Sequence, residues 1–181
     1  MSQFREITIG NLLRETAGKY PDHDALIYPE FGIRQNYSEF LGNCEKVAKG
    51  FMALGVKRGD HVSAWATNVP EWVYMQFGLS MIGAVLVTVN TNYKSHELEY
   101  ILQQSDSTTL VHIRDYRDTS YYDIVRQVVP ELGNQAKKAI NSEKLPYLKN
   151  VVLTGEGDAA PGMFLFNEVL SRGEAVSDAD L

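Results

Sequence analysis

The clearest hydrophobic pattern in the chain predicts an amphipathic helix that begins near Ser38 and ends at Gly55. Its apolar side chains recur at intervals of three and four residues, which places them on one face: they are Phe40, Leu41, Cys44, Val47, Ala48, Phe51 and Met52. Ser38 is the expected N-cap, and Gly55 is expected to supply the left-handed residue that ends the helix. Cys44 lies on the apolar face, so a buried and unreactive thiol is expected.

A shorter amphipathic helix and a β-hairpin are predicted before this helix. Thr8 is the expected N-cap of the first helix, and Pro21 limits its extension. Four apolar side chains fall near one of its faces: Ile9, Leu12, Leu13 and Tyr20. Residues 25–28 and 33–37 are strand-like, and the tetrapeptide 29–32 between them is rich in turn-forming residues, which predicts the hairpin.

Strands and helices then alternate along the rest of the chain. The predicted strands are 61–66, 84–90, 108–113 and 151–154. Four helices are predicted between and after them: one that begins at Pro70, one capped by Ser95, one around Tyr121 and one over residues 164–170. The strands have few alternating polar positions, as is typical of strands covered on both faces. The pattern predicts an α/β fold: a mostly parallel sheet with helices on both faces, plus the N-terminal helix and hairpin.

An uncharged stretch at residues 72–92 is long enough to cross a bilayer. Gly83 interrupts it, however, and the residues after this glycine favour a strand. A buried helix followed by a buried strand is therefore expected, and no transmembrane span.

Composition narrows the classes of function. The 181 residues carry a formal net charge of −6, which argues against nucleic acid as a partner because phosphate binding needs a positive surface. Basic residues do not cluster: the pairs Lys57-Arg58 and Lys137-Lys138 are too short to form a track for a polyanion. A single cysteine excludes a disulfide within the chain and a cysteine-based metal site. With no signal-like sequence in the first ten residues, the expected location is the cytoplasm.

The best local candidate for chemistry is the glycine-rich turn at residues 155–162, which follows a predicted strand and precedes a predicted helix. Phosphates bind at such turns in doubly wound folds. No Lys-Ser/Thr pair follows Gly162, and Glu156 and Asp158 would repel a phosphate. An ordinary exposed turn is favoured, with an anion site as the alternative. The histidines are scattered, so we assign no catalytic, cofactor-binding or metal-binding residue.

Several consecutive segments resemble the adenylate-forming ligases. They are residues 37–40, which open the long helix; 54–62, which end it; 68–72; 82–90; and 97–106. Residues 89–93, Val-Asn-Thr-Asn-Tyr, are more similar to fatty-acid and other acid–CoA ligases than to amino-acid-activating domains. The resemblance is close over residues 8–113 and looser beyond them.

The resemblance implies that residues 1–181 form the N-terminal subdomain of an acyl-CoA synthetase/luciferase-like enzyme. Such an enzyme uses ATP, Mg²⁺ and CoA to convert a carboxylic acid, with fatty acids favoured, into its CoA thioester through an acyl-adenylate. The family's phosphate loop ending in Pro-Lys-Gly and its later catalytic motifs do not occur in these residues. The chain alone is therefore expected to be non-catalytic and to bind no cofactor.

Other interpretations remain open at this stage. The chain could be a stand-alone interaction or regulatory module on the same scaffold, part of an amino-acid-activating enzyme, or a nucleotide-binding protein that uses the 155–162 turn. If later chain normally completes the sheet, an exposed apolar face or strand edge is expected to cause self-association, and the parent enzyme could be a homodimer.

Overall fold

The fold is a five-stranded parallel sheet covered by helices on both faces and preceded by a helix and a hairpin. The computed structural model describes residues 6–134, 140–155, 157–159 and 161–181. Every strand pair in the five-stranded sheet is parallel. The α/β class predicted from the sequence is therefore confirmed.

The described residues form the following helices and strands. The helices are α1 (Ile9–Lys19), α2 (Tyr37–Ala53), α3 (Pro70–Met81), α4 (Ser95–Gln104), α5 (Tyr121–Val128) and α6 (Phe166–Gly173). The strands are β1 (Asp24–Tyr28), β2 (Ile33–Asn36), β3 (His61–Trp65), β4 (Val85–Thr88), β5 (Ser107–Ile113), β6 (Asp115–Tyr116), β7 (Thr119–Ser120), β8 (Asn150–Thr154) and β9 (Phe164–Leu165). Short 3₁₀ helices span Pro29–Phe31, Pro130–Asn134 and Asp178–Asp180.

The five-stranded sheet has the order β4-β3-β5-β8-β9. One buried cluster packs α2, α3 and α6 against the sheet residues Val62, Ala64, Val111 and Val152. A second cluster packs α4 and α5 against Trp65, Leu110 and Val151 on the opposite face. The uncharged stretch 72–92 is therefore divided between α3 and β4, as expected. The strand is not buried as predicted, because β4 lies at the edge of the sheet and Val85 and Thr88 are exposed. None of the described helices is long and apolar enough to cross a membrane.

Polar side chains inside the sheet are paired across neighbouring strands. The Ser63 and Ser107 hydroxyls lie 2.7 Å apart, and Asn150 Nδ2 donates to Thr109 Oγ1 at 3.3 Å. All four residues are buried. An unpaired polar group in these positions would be costly, so the pairs favour this register over its neighbours.

Helix α1 forms where expected, with Thr8 as its N-cap, but it buries a different face. Leu13 and Ala17 are buried, whereas Ile9 and Leu12 are each 48% exposed and Tyr20 is 41% exposed. The cause is Gly10: a Cβ there would lie 2.9 Å from Met81, so the missing side chain lets α3 approach along the face that contains Gly10. Of the four apolar side chains that were predicted to share the buried face, Leu13 alone is buried, and the prediction for Ile9, Leu12 and Tyr20 was wrong.

Two predicted caps lie at neighbouring residues instead. Asn36, not Ser38, caps α2, because its side chain accepts from the Glu39 amide at 2.9 Å while Glu39 accepts from the Asn36 amide at 3.0 Å. Ser95 is the first residue of α4, and Lys94 is its N-cap. In both helices a glutamate three residues after the cap completes the hydrogen bonds.

The last predicted helix is shorter than expected. Phe164 and Leu165 form β9, which pairs in parallel with Val152 and Leu153 of β8, and the helix begins only at Phe166. The sequence also did not predict the small β6–β7 hairpin. Two-residue strands have too few positions to show a period, so only their partners define them.

Candidate functional site

The carboxyl ends of β3 and β5 form the topological switch point of the sheet. These strands are neighbours, but the helices that follow them, α3 and α5, cover opposite faces. Ligands of open α/β sheets bind in the crevice at such points. Trp65 and His112 are paired across this point, at the ends of the two strands.

A buried aromatic stack closes one side of the switch point. The Trp65 and Tyr121 rings have centroids 3.6 Å apart and an interplanar angle of 3°, and both residues are fully buried. Trp65 Nε1 donates to the Asn90 carbonyl at 3.0 Å, and the Tyr121 hydroxyl donates to the Thr91 carbonyl at 2.5 Å. Desolvation raises the pKa of Tyr121 to about 12, so the hydroxyl stays a neutral donor.

The stack holds the loop that follows β4, which is the Val-Asn-Thr-Asn-Tyr segment. Within this loop Asn90 Oδ1 accepts from the Asn92 amide at 2.9 Å, and the Asn90 carbonyl accepts from the Tyr93 amide at 3.1 Å. Asn90 thus holds the loop from within, while Trp65 and Tyr121 hold it from outside. These contacts explain the segment as a structural support of the switch point.

His112 is a fully buried histidine on the α5 side of the sheet. Its Nδ1 donates to the Ile113 carbonyl at 2.8 Å, which fixes the tautomer, and Nε2 has no partner among the described residues. Desolvation is the main reason that its pKa falls to about 4, and Arg114 lowers it further. His112 is therefore neutral at physiological pH.

Thr154 Oγ1 is a second buried polar atom without a partner among the described residues. It does not share a site with His112. Alternation along β8 places Thr154 on the same face as Asn150, which contacts Thr109 of β5, whereas His112 lies on the other face. The two atoms therefore do not form a joint polar site in the described part of the chain.

The glycine-rich turn after β8 is held by an arginine at the end of β5. Arg114 donates to the Asp158 carbonyl at 2.5 Å. A Cβ on Gly157, which has a φ of 112°, would lie 2.8 Å from an Arg114 side-chain nitrogen, so this turn needs glycine there. Glu156 and Lys137-Lys138 lie outside the described residues. The sequence analysis did not predict a role for Arg114. Its position directly after a buried strand was the one signal that could have indicated a role at the carboxyl edge of the sheet.

The other residues considered from the sequence do not assemble into a site. Cys44 is fully buried, and desolvation raises the pKa of its thiol to about 12, as expected for a packing residue. No three His, Cys, Asp or Glu side chains converge as metal ligands in the described part of the chain. No step is assigned to the Mg²⁺ that the resemblance implies. That the chain carries no catalytic residue stays a prediction.

Comparison with known proteins identifies relatives of this scaffold. The family model for AMP-binding enzymes matches residues 13–171. The putative acyl-CoA synthetase YngI of Bacillus subtilis is 44% identical over all 181 residues, and the match covers 33% of YngI. The mitochondrial medium-chain acyl-CoA ligase ACSF2 of Danio rerio is 34% identical over 93% of this chain and 27% of its own length.

A solved structure confirms the fold. The anthranilate CoA ligase AuaEII, crystallised with anthranoyl-AMP, superposes with a TM-score of 0.74 over 91% of this chain and 28% of its own, at 22% identity. The chain thus spans about a third of the length of the curated relatives it matches.

Proposed function

Because this chain belongs to the family of AMP-binding enzymes, we propose that it is the amino-terminal part of an ATP-dependent acid–CoA ligase. The acid attacks the α-phosphate of ATP to give an acyl-adenylate and pyrophosphate, and the CoA thiolate then displaces AMP to give the thioester. The observation that carries the proposal is the 44% identity over the whole chain to the putative acyl-CoA synthetase YngI, which is about three times as long.

Residues 1–181 act in this proposal as one subdomain of a larger AMP-binding domain. The Trp65–Tyr121 stack and the Arg114 contact shape the carboxyl edge of the sheet, while the reacting groups come from elsewhere in the whole protein. The one serine hydroxyl that donates to a carboxylate among the described contacts, Ser177 to Asp180 at 2.7 Å, lies in an exposed turn and not at this edge. The chain is therefore assigned a scaffolding role and no catalytic residue.

The 181-residue chain alone is expected to show no acid-dependent exchange of pyrophosphate into ATP. The whole protein is expected to show this exchange with a fatty acid and to form a thioester when CoA is added. Radiolabelled pyrophosphate exchange on both proteins, at equal concentration, measures the difference. Exchange by the 181-residue chain would refute the scaffolding role, and exchange by the whole protein with amino acids alone would favour the amino-acid-activating class.

Self-association of the chain is expected through β4, which lies at one edge of the sheet and, among the described strands, pairs with β3 alone. Val85 on this strand is 45% exposed, and an unprotected edge strand is a template for a second chain. Sedimentation at ~100 μM, far above typical specific dissociation constants, is expected to show a dimer. Val85→Lys should shift it towards monomer, and Tyr147→Lys, at a surface residue 54% exposed, should not. A monomeric parent chain at that concentration would contradict the proposal.

The cytoplasm is the proposed location of the whole protein, in keeping with the single, buried cysteine of residues 1–181. Cell fractionation tests this, since the vertebrate ACSF2 relatives are named as mitochondrial. The alternative of a stand-alone interaction module is not favoured, because the similarity to acyl-CoA synthetases runs the full length of the chain.

A further inference from the structure

We draw no further inference here: the strongest candidate, the apolar surface of the β1–β2 hairpin where Ile27 and Phe31 are 49% and 52% exposed, carries none because nothing in the structure shows what covers it.

Discussion

Replacing Gly50 with alanine is expected to lower the free energy of unfolding by about 3 kcal/mol, the upper part of the usual range for overpacking a tight contact. Gly50 lies where α2 crosses α6, and a Cβ there would lie 2.8 Å from the Val169 carbonyl oxygen. The atom that a Cβ would meet belongs to the backbone, so the contact cannot be relieved by rotation of a side chain. Gly173 of α6 lies opposite Gly50 in the same contact, and a Cβ on Gly173 would lie 2.5 Å from the Gly50 nitrogen. The close approach of the two helices therefore needs glycine on both.

Gly42→Ala is the matched control, because Gly42 lies on the same helix and a Cβ there would have no neighbour within 4 Å. Alanine is the better helix former, so this variant should be as stable as the parent or more stable by up to about 1 kcal/mol. Urea unfolding followed by circular dichroism measures both variants. Equal stability of the two would show that the α2–α6 contact is not limited by backbone approach.

The second large effect is a loss of stability in acid caused by His112. Its pKa is about 4 in the folded chain, below the ordinary value of 6.5, because burial disfavours the charged imidazolium. Between pH 6.5 and 4 the unfolded chain therefore binds a proton that the folded chain does not. The free energy of unfolding should fall by about 3 kcal/mol across this interval and, from this group, no further below it.

The control is His112→Gln, which keeps a polar side chain but does not titrate. Its unfolding free energy should fall less steeply between pH 6.5 and 4, whatever its stability at neutral pH. Hydrogen bonds lower the pKa values of Glu97 and Asp178, so protonation of these carboxylates in acid also lowers the free energy of unfolding. This contribution is the same in the parent chain and in His112→Gln. Parallel pH profiles would show that His112 is protonated in the folded state.

Much of the local structure could be predicted from the sequence. The period of apolar residues located α2 within a residue or two, Gly55 adopts the left-handed φ of 87° that was expected of it, and Pro70 begins α3. The hairpin of β1 and β2 follows from its turn residues. These features depend on residues a few positions apart, so the sequence carries their signal directly.

The candidate site could not be predicted in the same way. The aromatic stack joins Trp65 to Tyr121, and the glycine-rich turn is held by Arg114, 44 residues before its Asp158 partner. Each residue has an ordinary local interpretation: Tyr121 fits a helix face, and Arg114 fits the polar end of a strand. Only the packing of α5 and β8 against β5 brings the partners together.

The sequence by itself determined the α/β class and the order of the longer helices and strands, because periodicity and turn chemistry are properties of neighbouring residues. The tertiary structure decided which face of α1 is buried, that residues 164 and 165 form a strand, and that Trp65 stacks on Tyr121 beside the switch point. Those outcomes depend on close approach between distant segments, such as α3 against Gly10, and no local pattern encodes such distances.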